Sequence, residues 1–100
     1  MSISTTVSDS GKKVTISVSG KFDFQLYDDF RSAYTETQGS GVAYEVNLAG
    51  TDYLDSSALG MLLLLREHAG GDSSKIEITQ ISDDVRKVLE VANFGKLFSI

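Results

Sequence analysis

Asp55-Ser56-Ser57, a serine pair directly after an aspartate, is the segment whose residue types point most directly to chemistry. It lies where a stretch of alternating apolar and polar residues gives way to one dense in Ala, Leu and Met, a strand passing into a helix. The first backbone N–H groups of a helix lack intrahelical acceptors and favour negative charge. A phosphate on a serine there adds about −1.5 to −2 charge, which the helix terminus tolerates and an acidic or apolar partner surface does not. Such a site switches binding without unfolding the domain. The same residues also make an ordinary N-cap, worth about 1 kcal/mol, and the tripeptide alone does not separate the two roles.

Other reactive groupings are sparse. The sequence holds one histidine, His68, and no cysteine, so a Ser-His-Asp triad or a thiolate metal site lacks its parts. His68 comes late in the helix that follows Ser57, where its cationic form suits the helix C-terminus. Asp28-Asp29 and Asp83-Asp84 lie near helix starts, where exposed carboxylates complement the dipole more readily than they bind a hard metal. Gly39-Ser40-Gly41 and Gly70-Gly71 lack the spacing of a phosphate-cradling loop and read as turns. No catalytic residues, metal or cofactor are expected.

The elements that must position Asp55-Ser56-Ser57 are legible in the hydrophobic pattern. Ile3, Thr5 and Val7 alternate with Ser4 and Thr6, and after Asp9-Ser10-Gly11 the alternation resumes through Val14, Ile16 and Val18, predicting a β-hairpin. Leu26, Phe30, Ala33 and Tyr34 share one helical face, with Asp28, Asp29 and Glu36 elsewhere, in a helix expected to stop by Gly39-Ser40-Gly41. Val42, Tyr44, Val46 and Leu48 predict a third strand ending near Ala49-Gly50. Ala58 to Ala69 predicts a helix closed by Gly70-Gly71. Ile76 and Ile78 mark a fourth strand, and Ser82-Asp83-Asp84 caps a last helix with Val85, Val88, Leu89 and Ala92 on one face. The expected fold is one α/β domain over 1–100, with a mostly parallel four-stranded sheet, an N-terminal hairpin and three helices joined by right-handed crossovers.

The run Met61–Leu65 is apolar throughout, whereas a helix buries only part of its circumference against one sheet. Part of this surface is therefore available to a partner unless the first and last helices cover it. If Met61 is in the exposed part, Met61→Ala weakens partner binding without unfolding the domain.

Composition bounds the function. One hundred residues, 41% hydrophobic and 23% charged, suffice for a single core and leave no room for a separate catalytic module. The formal net charge of −5 and the lack of a Lys/Arg block disfavour direct nucleic-acid binding. The start reads as no secretory signal and the longest apolar run is too short to span a bilayer, so a cytoplasmic protein without membrane insertion is expected.

The stretch Tyr53-Leu54-Asp55-Ser56-Ser57-Ala58-Leu59-Gly60-Met61-Leu62-Leu63, placed after the Tyr44–Leu48 strand, resembles the phosphorylation-loop signature of the STAS family, the bacterial anti-sigma factor antagonists. The likeness extends to Gly20-Lys21-Phe22-Asp23 and to the closing Val88-Leu89-Glu90-Val91-Ala92-Asn93-Phe94-Gly95-Lys96-Leu97-Phe98. It implies a non-enzymatic signal-transduction phosphoprotein that regulates transcription by partner switching. The unphosphorylated form would bind an anti-sigma factor that is also a serine kinase, phosphorylation would abolish binding, and a phosphoserine phosphatase would restore it.

By the same resemblance Ser56 is the phosphosite, with Ser57 as the alternate. Asp23, Asp55, Ser57, Ala58, Leu59, Gly60 and Met61 form the partner-binding surface. Asn47 stands where the family often has Asp, and Phe24 where a small or polar residue is common; neither change touches Asp55 or Ser56. No further tail follows Ile100, so contacts of a longer terminal helix are not expected. An alternative within the same family is a constitutive STAS subunit of a lipid-transport ATPase, or a STAS regulator of a target other than a sigma factor.

Overall fold

In the computed structural model, which describes residues 2–8, 11–35 and 42–100, the alternating segments become strands and the 3.6-period segments helices. The strands are β1 (Ser2–Ser8), β2 (Lys13–Phe22), β3 (Ala43–Leu54) and β4 (Lys75–Thr79). The helices are α1 (Tyr27–Thr35), α2 (Ser56–His68) and α3 (Asp83–Val91). Single 3-10 turns occupy Phe24–Leu26, Gly71–Ser73 and Phe94–Lys96. The hairpin residues Asp9 and Ser10, as well as Glu36 and Gly39-Ser40-Gly41, lie outside the described residues.

The strands form one sheet in the order β1-β2-β3-β4. β1 runs antiparallel to β2, and β2, β3 and β4 are mutually parallel. Register then sorts side chains onto two unlike faces, because successive residues of a strand point to opposite sides. Val14 pairs with Tyr44 and Ile16 with Val46, which in turn pair with Ile76 and Ile78. All six are buried, and the buried side chains of α1, α2 and α3 join them in a single core. The other face carries Lys13, Thr15, Ser17, Glu45, Asn47 and Thr79, where Thr79 Oγ1 donates to Glu45 Oε2 at 2.7 Å and Lys13 Nζ lies 3.5 Å from Glu45 Oε1.

β3 does not end near Ala49-Gly50 as its alternation predicts but continues to Leu54. Pairing with β2 is irregular between Ser17 and Ser19 and again between Gly20 and Lys21, and resumes with Lys21 opposite Tyr53 and Phe22 opposite Leu54. The buried Thr51 stitches the irregular stretch, its Oγ1 donating to the Val18 carbonyl at 2.8 Å. Gly50 permits the close approach: a Cβ there would lie 2.9 Å from Ser19 Cβ. Gly50→Ala should therefore cost about 1–3 kcal/mol through forced displacement of β2. Urea unfolding measures this, and Ser19→Gly in the same chain should recover part of the loss.

α1 buries Phe30 and Tyr34, with Leu26 just before it, as the spacing predicts. Phe30 sits between the rings of Phe22 at 5.1 Å and Tyr34 at 5.8 Å, and burial raises the pKa of the Tyr34 hydroxyl. In α2 the buried residues are Ala58, Met61, Leu62 and Leu65, whereas Leu63 and Leu64 are 40% and 46% exposed. Met61 is thus a core residue, and the outward part of the apolar run is the Leu63-Leu64 pair. Along α3, Val85 and Leu89 are buried while Val88 stands at the margin of the contact stripe, 37% exposed.

Gly70 and Gly71 close α2 with φ of 116° and 61°, conformations that a residue with a Cβ rarely adopts. Ser82 Oγ accepts from the Val85 N–H at 3.3 Å and caps α3. The outer edge of β4 is covered by the chain's own C-terminal residues: the Ile78 N–H donates to the Ser99 carbonyl at 2.8 Å, and the Ser99 N–H donates to the Ile76 carbonyl at 3.2 Å. No helix among the described residues is long and apolar enough to cross a membrane.

Candidate functional site

β2 and β3 end side by side, Phe22 opposite Leu54, so the next residue of each chain segment, Asp23 and Asp55, leaves the sheet at the same end. The Asp55 N–H still reaches the Phe22 carbonyl at 3.4 Å. This is the carboxyl end of parallel strands, where open α/β sheets place their binding residues because the following helices present their N-termini there.

Both aspartates are extended and cap the turns that follow them. Asp23 Oδ1 accepts from the Gln25 N–H at 3.0 Å. Asp55 Oδ1 accepts from the Ala58 N–H at 3.1 Å and from the Ser57 hydroxyl at 2.6 Å. The Ser57 hydroxyl, ahead of the backbone N–H donors of Ala58 and Ser57, holds the Asp55 carboxyl below its usual pKa, outweighing the opposing effect of desolvation.

The consequence for the serine pair is a division of labour. The half-buried Ser57 hydroxyl is committed to Asp55. Ser56, the first residue of α2, is exposed, and its hydroxyl has no hydrogen-bond acceptor among the described residues. A phosphate on Ser56 would stand outside the helix, near its unsatisfied N–H groups and away from the core, whereas a phosphate on Ser57 would first have to break the capping contact.

Asp55→Ala should cost about 0.5–2 kcal/mol through loss of the cap. The Ser57 hydroxyl lowers the folded-state pKa of Asp55 from its ordinary value, so the carboxylate's contribution is complete above the unfolded-state value and is lost as pH falls through the folded-state value. Thermal melts from neutral pH down to acid should show the wild-type advantage over Asp55→Ala shrinking only below about pH 4.

The residues around this centre separate into exposed and buried sets. Leu59 is half-buried and Gly60 is exposed, with open space where a Cβ would stand. Ala58 and Met61, expected on the partner surface, instead face the core. Their positions on α2 explain this: Ala58, Met61, Leu62 and Leu65 form one helical stripe, and that stripe lies on the sheet.

Three features of the same region were not anticipated from sequence. Phe24 is exposed and stacks on Tyr27 at 5.5 Å. Tyr53 is exposed beside the buried Leu54, on a stretch where burial departs from alternation after Leu48, with Thr51 buried and Asp52 exposed. Leu59, Val88, Val91 and Ala92 line an apolar groove of about 360 Å³ between α2 and α3, with Lys87 at its rim.

The remaining candidates lie elsewhere. His68 is the last residue of α2, about 18 Å along the helix from Ser56, with its ring 4.9 Å from Tyr34 and 6.4 Å from Tyr44. Asp28 and Asp29 occupy the first turn of α1, and Asp83 and Asp84 that of α3. Among the described residues no three His, Asp or Glu side chains gather closely enough to hold a metal ion.

The described residues thus form a single layer of helices on a mostly parallel sheet, with an exposed serine at the start of the helix that follows the longest strand. The family model described as "Mlab, STAS domain" matches residues 5–99. The chain belongs to the STAS-domain family. It is 47% identical over 100 residues to a STAS-domain containing protein of Pseudomonas aeruginosa (strain UCBPP-PA14), covering 100% of this chain and 99% of that one.

Among solved structures, the fold resembles the anti-sigma factor antagonist SpoIIAA in its unphosphorylated form, with a TM-score of 0.81 at 19% identity over 97% of this chain and 85% of that one. It also resembles a sulfate transporter family protein from Wolinella succinogenes, with a TM-score of 0.74 at 14% identity over 91% of this chain and 73% of that one.

Proposed function

We propose that this domain is a phosphorylation-controlled anti-sigma factor antagonist of the cytoplasm. In its unphosphorylated form it binds an anti-sigma factor that doubles as a serine kinase, which releases that regulator's other client. Phosphorylation of Ser56 ends the complex, and a phosphoserine phosphatase resets the cycle. The domain is the ligand and substrate of these proteins and carries no catalysis of its own.

The observation that carries this reading is the pairing of an exposed Ser56 with a Ser57 hydroxyl held by Asp55. One serine is displayed at a helix N-terminus while its neighbour secures the cap. Asp23, Asp55, Leu59 and Gly60 surround it as contacts for the partner. Intact-mass spectrometry of the protein purified from its native cells under several growth conditions tests the reading. A condition-dependent phosphate that disappears in Ser56→Ala supports it; an invariant mass in every condition overturns it.

A second reading is a constitutive STAS subunit of a lipid-transport ATPase, or a regulator of another target, in which the same end of the domain packs on its partner and Ser56 is never modified. The likeness to a sulfate transporter family protein is the observation behind this transport-linked reading. Stable copurification with a membrane-associated ATPase, together with an invariant mass, would select it.

A further inference from the structure

The two edges of the sheet are treated differently. β4 is covered by Ser99, whereas among the described residues β1 pairs on one side only, with β2. Alternate residues of an edge strand turn their N–H and C=O groups outward, a template for another strand unless charge, proline or a bulge blocks it. Ser2–Ser8, with the sequence SISTTVS, has no charge and no proline, and its pairing with β2 runs without a bulge. Ser4 through Ser8 are exposed.

The order of residues in this strand selects the occupant. An isologous contact between two copies requires an edge that is complementary to itself when reversed. Turning β1 about Thr5 places Ile3 opposite Val7, Ser4 opposite Thr6, Thr5 opposite Thr5 and Ser2 opposite Ser8. Every pair joins residues of one chemical kind. In the hairpin register, Ile3, Thr5 and Val7 fall on the same face as the core residues Val18, Ile16 and Val14. The Ile3–Val7 pairs would therefore extend the apolar side of the sheet, and the serine–threonine pairs its hydroxyl side. The chain's net charge of −5 opposes most self-contacts, and the uncharged β1 edge offers a route without like charges at the seam.

We propose that two copies associate through antiparallel β1 edges on a two-fold axis at Thr5, joining the two four-stranded sheets into one continuous sheet. The seam spans seven residues, about 24 Å at roughly 3.4 Å per residue, which places it among small, reversible interfaces.

Sedimentation equilibrium of the full chain over a wide concentration range should show the average mass rising from 10.8 kDa toward twice that value. Thr5→Lys sets two like charges opposite each other at the axis. It should remain monomeric at every concentration with unchanged far-UV circular dichroism. Register is tested separately by disulfide trapping, since the chain has no cysteine. Residues directly opposite in an antiparallel pair have Cα atoms about 4.5–5.5 Å apart, within disulfide reach. Thr5→Cys should cross-link to itself at least tenfold faster than Val7→Cys, whose opposite residue is Ile3. A monomeric mass throughout, or equal cross-linking at the two positions, overturns the proposal, and the trapping result stands even if Thr5→Lys fails to fold.

Discussion

Ser56→Asp, or phosphate on Ser56, should reduce affinity for the kinase-type partner by roughly 10²–10³-fold while leaving the domain folded. The two effects separate because the exposed Ser56 stands at the start of α2. In the free domain the added charge meets water and the positive end of the helix, so the midpoint of thermal unfolding should move by only a few degrees. In a complex built on Asp23, Leu59 and Gly60 the same charge would be stripped of water without a cation to meet it. An uncompensated buried charge costs about 3–5 kcal/mol. Titration calorimetry with the partner recovered on immobilised Ser56→Ala reads the first effect, and a thermal melt the second. Unchanged affinity for Ser56→Asp would remove Ser56 from the interface.

Met61→Ala should instead act on the fold. Met61 is only 3% exposed and belongs to the stripe with Ala58, Leu62 and Leu65, so truncation leaves a cavity that the surrounding strands cannot fully close. The expected cost is about 2–5 kcal/mol, which lowers the thermal midpoint of a domain of this size by roughly 10 °C or more. Leu64→Ala, less than one turn further along α2 and half-exposed, should stay within about 0.5 kcal/mol of wild type. Any loss of partner binding by Met61→Ala should vanish once the concentration of folded protein is equalised. A wild-type melt for Met61→Ala would place the side chain outside the core.

Strict alternation made β1, β2 and β4 legible because each has one face on the core. The far half of β3 was not. Ala49, Gly50, Thr51 and Asp52 look like a strand terminator, and the pairing that keeps them in the sheet depends on contacts with Ser19 and the Val18 carbonyl more than 30 positions away. The five apolar residues 61–65 likewise revealed a helix with too much hydrophobic surface for one contact, but not its rotation about its axis. That rotation follows from packing on the sheet, which buries Met61 and turns Leu63 and Leu64 outward.

At the site, the position of Asp55-Ser56-Ser57 between strand and helix was readable from residue types. The preference for Ser56 over Ser57 came only from family likeness, since both are serines at a helix start. The distinction depends on the side-chain hydrogen bond from Ser57 to Asp55. Val88 was placed with the buried face of α3 by its spacing, yet a nine-residue helix resting on a sheet covers a narrower stripe than the periodicity suggests.

The hydrogen bond between Ser57 and Asp55 also sets what any enzyme proposed to act on Ser56 would have to recognise. The hydroxyl is presented from the first turn of a formed helix, beside aspartates brought together by two paired strands. None of that geometry survives in an extended peptide. A kinase selecting this display would read a three-dimensional epitope, not a linear consensus, and would pass over nascent or misfolded copies. Modification would then certify the conformational integrity of the molecule as well as its signalling state.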